Sequence, residues 1–131
     1  MKLRYVGEPS DVVFDGANSH QGREPYPVID VTGCKVIIGE EAVISAGVYI
    51  HTHTHSFNKK KWIYMLQKPK VDKPTVIGKY TFIGVNAQIM HTCKRIGDYS
   101  VIAAGSIVTK DVPDCEIWAG NPAVKIGEVE D

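Results

Sequence analysis

Aliphatic residues fall on a beat of six along most of the chain. They lead the units "IGEEAV", "ISAGVY" and "IHTHTH" at Ile38, Ile44 and Ile50, pause after Ser56, and resume with Ile77, Ile83 and Ile89. After a seven-residue step the beat continues through Ile96 and Ile102 to Val108. A small residue usually stands two places before each lead. A period of six fits neither the ~3.6-residue turn of an α-helix nor the heptad of a coiled coil. It suits a coil with flat sides, each a short strand closed by a tight corner, with the large aliphatic and the small residue before it both pointing inward. Stacked coils then pair backbone with backbone around an aliphatic ladder, which predicts a parallel β-helix and no helix from 36 to 112.

The segments outside the beat read differently. Residues 1–31, with "GANSHQGREPYPVID", are turn-rich and predict short strands and loops covering the N-terminal mouth of the coil; residues 32–131 form the β-helix domain with a short tail. Residues 57–73, "FNKKKWIYMLQKPKVDK", interrupt the beat with a polar, basic stretch holding Trp62, Tyr64 and Met65. A loop this long in a compact solenoid is more often functional than accidental.

Composition narrows the classes. Fifteen basic residues balance fifteen acidic ones, so no global field favours nucleic acid or an anionic membrane. The three cysteines, Cys34, Cys93 and Cys115, lack CxxC spacing and are odd in number, which points to a reducing compartment. No apolar run is long enough for a signal peptide or a membrane span, and a cytoplasmic address is expected.

The hexads match those of left-handed parallel β-helix proteins, whose handedness departs from the usual right-handed crossover. More specifically, residues 74–123, ending in "IAAGSIVTKDVPDCEIWAGNPA", resemble the C-terminal half of the maltose, galactoside and polysaccharide O-acetyltransferases. The resemblance implies an all-β, left-handed β-helix with an extruded loop, acetyl-CoA as acyl donor, and a sugar or nucleotide-sugar acceptor. It also implies a homotrimer, since about eleven hexads leave Val43, Tyr49, Phe82 and Val101 facing outward.

Three of the five histidines, His51, His53 and His55, alternate in "HTHTH". Taking Ile50 and Thr54 as inward puts His51 and His55 on outer faces and His53 on the corner between them. In the resembling family the general base is an outward histidine directly before the extruded loop, which selects His55. A neutral imidazole suits that role, taking the proton of an attacking hydroxyl and returning it to the leaving thiolate. His53 and Trp62 are the expected acceptor contacts. A zinc hydratase of the gamma carbonic anhydrase type and a non-catalytic structural trimer are the competing readings, but no metal is expected, because a corner divides the three histidines.

The resemblance also carries the donor site onto this chain. Phe82 stands where the family packs an aromatic on the pantetheine arm, and Val85, Ala104 and Gly105 line that arm. Thr109 and Lys110 meet the nucleotide end. The family's cations after "NPA" are Val124 and Gly127 here, leaving Lys125 nearest, with Lys94 and Arg95 as further candidate phosphate contacts.

Overall fold

The computed structural model describes residues 1–56, 59, 66–67 (backbone) and 69–131. Its strands are β1 (Arg4–Val6), β2 (Val12–Asp15), β3 (Val28–Asp30), β4 (Val36–Gly39), β5 (Val43–Ile44), β6 (Tyr49–Ile50), β7 (His55–Ser56), β8 (Leu66–Gln67), β9 (Thr75–Ile77) and β10 (Phe82–Ile83). They continue as β11 (Gln88–Ile89), β12 (Arg95–Ile96), β13 (Val101–Ile102), β14 (Ile107–Val108), β15 (Glu116–Gly120) and β16 (Ala123–Glu128). A single 3-10 turn at Pro9–Asp11 is the only helical element among the described residues.

The short strands stack into three flat faces. One face runs β1-β3-β6-β11-β14, the second β5-β10-β13-β15-β16 and the third β2-β4-β9-β12. Pairing within them is parallel except at the closing β15–β16 hairpin. Register places the expected leads in line: Ile29, Ile50, Ile89 and Val108 on the first face, and Ile44, Ile83 and Ile102 with Trp118 on the second. Ile38, Ile77 and Ile96 line the third, with Val112 bridging to Ile96. All of these side chains are buried, nine of them the isoleucines of the largest fully buried group.

The small residues two places before the leads, Ile96 apart, also point inward. Ala42, Val48 and Ala87 are fully or nearly fully buried, as are Thr81, Ser100 and Ser106. A hydroxyl there must be satisfied within the coil. Thr81 and Ser100 donate to the corner carbonyls of Gly78 and Gly97 at 3.1 and 2.6 Å, and the Ser106 hydroxyl accepts from the Gly120 N–H at 3.3 Å. Corners turn through left-handed backbone, which is why Gly47 (φ 73°) and Gly105 (φ 72°) recur there.

Residues 4–30 do contain short strands, and each extends a face: β1 and β3 lengthen the first, β2 the third. The stretch expected to be extruded falls mostly outside the described residues, Trp62 among them. His55 and Ser56, just before it, pair antiparallel with Gln67 and Leu66 within it.

Candidate active site

The corner between the first and third faces gathers the histidines. Residues 51–54 turn there, and the inward position is Thr52, 8% exposed, rather than the expected Thr54, which is half-buried. The cause lies one coil away. Thr52 donates its hydroxyl to the Asp30 carbonyl at 2.8 Å and its N–H to the Asp30 carboxylate at 3.1 Å, and its hydroxyl accepts the Gly33 N–H at 3.0 Å. Gly33 permits this approach, because a Cβ there would lie 1.9 Å from the Thr52 carbonyl oxygen.

With Thr52 turned in, His53 turns outward and meets Asp30. The Asp30 side chain is fully buried and contacts His53 through Oδ2 and Nδ1. Its Oδ1 accepts the Thr32 N–H at 2.9 Å and the Thr32 hydroxyl at 2.6 Å. Burial alone pushes the Asp30 carboxyl up, but donors from Thr32, His53 and Thr52 together outweigh it and hold the group below its ordinary value of 3.8. An ionised carboxylate can only accept, so His53 carries a proton on Nδ1, which leaves Nε2 as the ring atom that can exchange a proton. His55, exposed, stands edge-on to His53 with ring centroids 5.1 Å apart.

His51 has a different task. It stacks on Tyr49 at 4.1 Å, and its Nε2 lies 2.9 Å from the Gln88 side-chain oxygen on the next coil. Among the described residues no group of three metal-ligating side chains converges.

A cleft of about 430 Å³ opens at this corner, with His53, His91, Lys73 and Lys94 in its lining. One coil further along, the Thr92 hydroxyl donates to the Thr109 carbonyl at 2.5 Å, so Thr109 and Lys110 continue the same edge of the first face. Val85, Ala104 and Gly105 stand on its opposite edge, where the Gly105 N–H bonds the Val85 carbonyl at 2.9 Å. A side chain built on Gly105 would meet nothing within 4 Å, so this edge is open to close approach. Phe82 lies beside it on the second face, 45% exposed between Val43 and Val101. One chain thus carries the expected donor residues on two separate edges.

The expected cations fare unequally. Lys110 lies 5.6 Å from the centre of the Trp118 ring. Lys125 is held by Glu128 at 2.8 Å and Glu116 at 3.4 Å, so its charge is already answered within the closing hairpin. Arg95 faces Asp98 and Asp114, and Lys94 turns to Cys34 and Thr75. Asp30 and Thr32 were not among the expected site residues. Their one signal was an acid set among aliphatics in "PVIDV", a charge that a strand must bury or pair.

The stacked hexads form a left-handed parallel β-helix, and its repeats match hexapeptide-repeat proteins. Residues 74–110 match the bacterial transferase hexapeptide family and residues 32–51 the hexapeptide repeat of succinyl-transferase. Within that class the chain resembles the galactoside O-acetyltransferases. It is 34% identical over 131 residues to the Escherichia coli (strain K12) enzyme, covering 95% of this chain and 61% of that one. The Lactococcus lactis galactoside O-acetyltransferase is 28% identical, with 97% and 61% covered. A solved galactoside acetyltransferase in complex with coenzyme A superposes with a TM-score of 0.76 at 28% identity, over 98% of this chain and 60% of the other. The chain spans about three-fifths of the curated relatives named here. No helix among the described residues is long and apolar enough to cross a membrane.

Proposed function

We propose that this chain transfers an acetyl group from acetyl-CoA to a hydroxyl, or an amine, of a sugar or nucleotide-sugar acceptor. The observation that carries the reading is the corner itself: an imidazole pair, His53 and His55, stands where the coil opens beside a cleft. Thr109 and Lys110 lie further along the same edge. The small residues Val85, Ala104 and Gly105 fit a pantetheine arm, Phe82 offers it an aromatic face, and Lys110 offers a point charge to a phosphate. Lys125 is the weakest of these contacts, because two carboxylates already hold it.

In this mechanism His55 takes the proton of the acceptor hydroxyl as its oxygen attacks the thioester carbonyl. The tetrahedral intermediate collapses, the carbon–sulfur bond breaks, and the imidazolium returns the proton to the departing thiolate. The products are an acetyl ester (an amide, from an amine) and free coenzyme A. His53 meets the acceptor, and Trp62, outside the described residues, is a further acceptor contact. Val85, Ala104 and Gly105 stand on one edge of the first face and Thr109 and Lys110 on the other, and a homotrimer would let one edge of a copy meet the other edge of its neighbour.

One observation favours a second assignment of the base. Asp30 fixes the ring and tautomer of His53 as a carboxylate orients a catalytic imidazole. Single substitutions separate the two. If His55 is the base, His55→Ala lowers kcat by about 10²–10⁴ with coenzyme A binding intact, and His53→Ala loses about tenfold or less. The reverse ranking assigns the proton to His53, and no loss in either variant sinks both.

A further inference from the structure

The residues two places before each aliphatic lead are Val36, Ala42, Val48, Thr75, Thr81, Ala87, Ser100 and Ser106, with one exception, Lys94 before Ile96. The seven-residue step lets Cys93 fill the interior, fully buried, and Lys94 follows it half-buried at the wall of the cleft. Its ammonium meets the Cys34 sulfur at 3.2 Å and the Thr75 hydroxyl at 3.4 Å. Among the described residues no carboxylate pairs with that ammonium. The neighbouring Asp111 spends itself on the backbone N–H groups of Lys94 and Arg95, at 2.7 and 3.2 Å. Asp30 is consumed by His53, Thr32 and Thr52. Lys73, His53 and His91 line the same cleft, and no acid does among the described residues.

A half-buried cation whose partners among the described residues are a thiol and a hydroxyl has lost water without gaining a counter-charge from them. Its placement beside the imidazoles makes sense if the charge arrives with a ligand. We infer that the cleft takes an acceptor bearing an anionic group, a carboxylate or a phosphate, with Lys94 as its charge partner and Lys73 at the rim. The inference rests on the acetyl-transfer reading and names the acceptor class for that same site. A charge-assisted contact of this kind sets specificity more than rate, so neutral sugars are the disfavoured alternative.

The test follows the imidazole resonances of the intact protein by NMR while inorganic phosphate, D-glucuronate and D-glucose are added separately. Phosphate and glucuronate should shift the His53 resonances saturably, glucose should not, and Lys94→Met should weaken the anions about tenfold or more, with Lys94→Arg recovering part. Cys34→Ala, which keeps the cation, should still bind them. The outcome identifies the source of the charge: phosphate stronger than glucuronate points to a phosphorylated acceptor, the reverse to an acidic sugar. Glucose binding equally well, no saturable shift with either anion, or shifts unchanged in Lys94→Met would overturn the inference. Coenzyme A binding in the same samples keeps the two readings apart. Donor binding without anion binding removes only this inference, and anion binding without donor binding removes acetyl transfer.

Discussion

Replacing Asp30 with Ala removes one acceptor that four donors share. The Thr32 N–H and hydroxyl, at 2.9 and 2.6 Å, and His53 can turn to water, because both residues are half-buried. The Thr52 N–H, 3.1 Å from the carboxylate in a residue 8% exposed, has no such escape. One buried donor left unmet costs ~1–3 kcal/mol, and the three other bonds add ~0.5–1.5 kcal/mol each, offset by relief of the carboxylate's own burial. The expected loss is about 2–4 kcal/mol, a fall in Tm of roughly 10 °C for a chain of this size. The fold holds the Asp30 carboxyl below 3.8, so the ionised form is the one the fold favours. Its contribution is therefore complete above the unfolded value and is lost as pH falls through the folded one. Thermal denaturation of wild type and Asp30→Ala, at one protomer concentration and across pH, reads both effects. The gap should persist from neutral pH down to about 3.8 and narrow below it, as the charge-dependent part of these bonds is lost. A gap under about 0.5 kcal/mol, or one that widens in acid, would refute the reasoning.

Sedimentation equilibrium at micromolar concentration should return a trimer; a stable monomer would leave the two edges of the donor site unjoined. Of the three thiols only Cys115 should react quickly with a thiol reagent near pH 8, since Cys34 and Cys93 are buried. Burial, reinforced by the nearby Asp111 charge, pushes the Cys93 thiol up to about 12, and fast labelling of Cys93 would contradict that.

The hexad beat foretold the interior because it is a local property. A six-residue repeat fixes which side of a flat face each residue takes, and Ile38 to Val108 fall where it puts them. The corner was less legible. Thr52 rather than Thr54 turns inward because Asp30, 22 residues earlier, supplies the bonds that hold it, and no period in "IHTHTH" encodes that pairing. Lys125 reads as a free cation in "NPAVKIG", yet the antiparallel return of β16 on β15 brings Glu116 against it. Lys94 was visible as a break in the small-residue row, and its consequence needed the third dimension. The placement of Thr109 and Lys110 on one edge, with Val85 and Ala104 on the other, follows from how many corners separate them. A motif aligned as a line cannot express that.

The proposal that this chain uses acetyl-CoA as its acyl donor requires a coenzyme A site, and calorimetric titration with coenzyme A, joined to thermal denaturation, tests it most directly. Saturable binding should appear, with about 2.7 kcal/mol of added stability at a hundredfold excess over Kd. Lys110→Ala should weaken coenzyme A far more than pantetheine lacking the nucleotide. No heat and no shift at millimolar coenzyme A would contradict the account and leave a structural β-helix in its place.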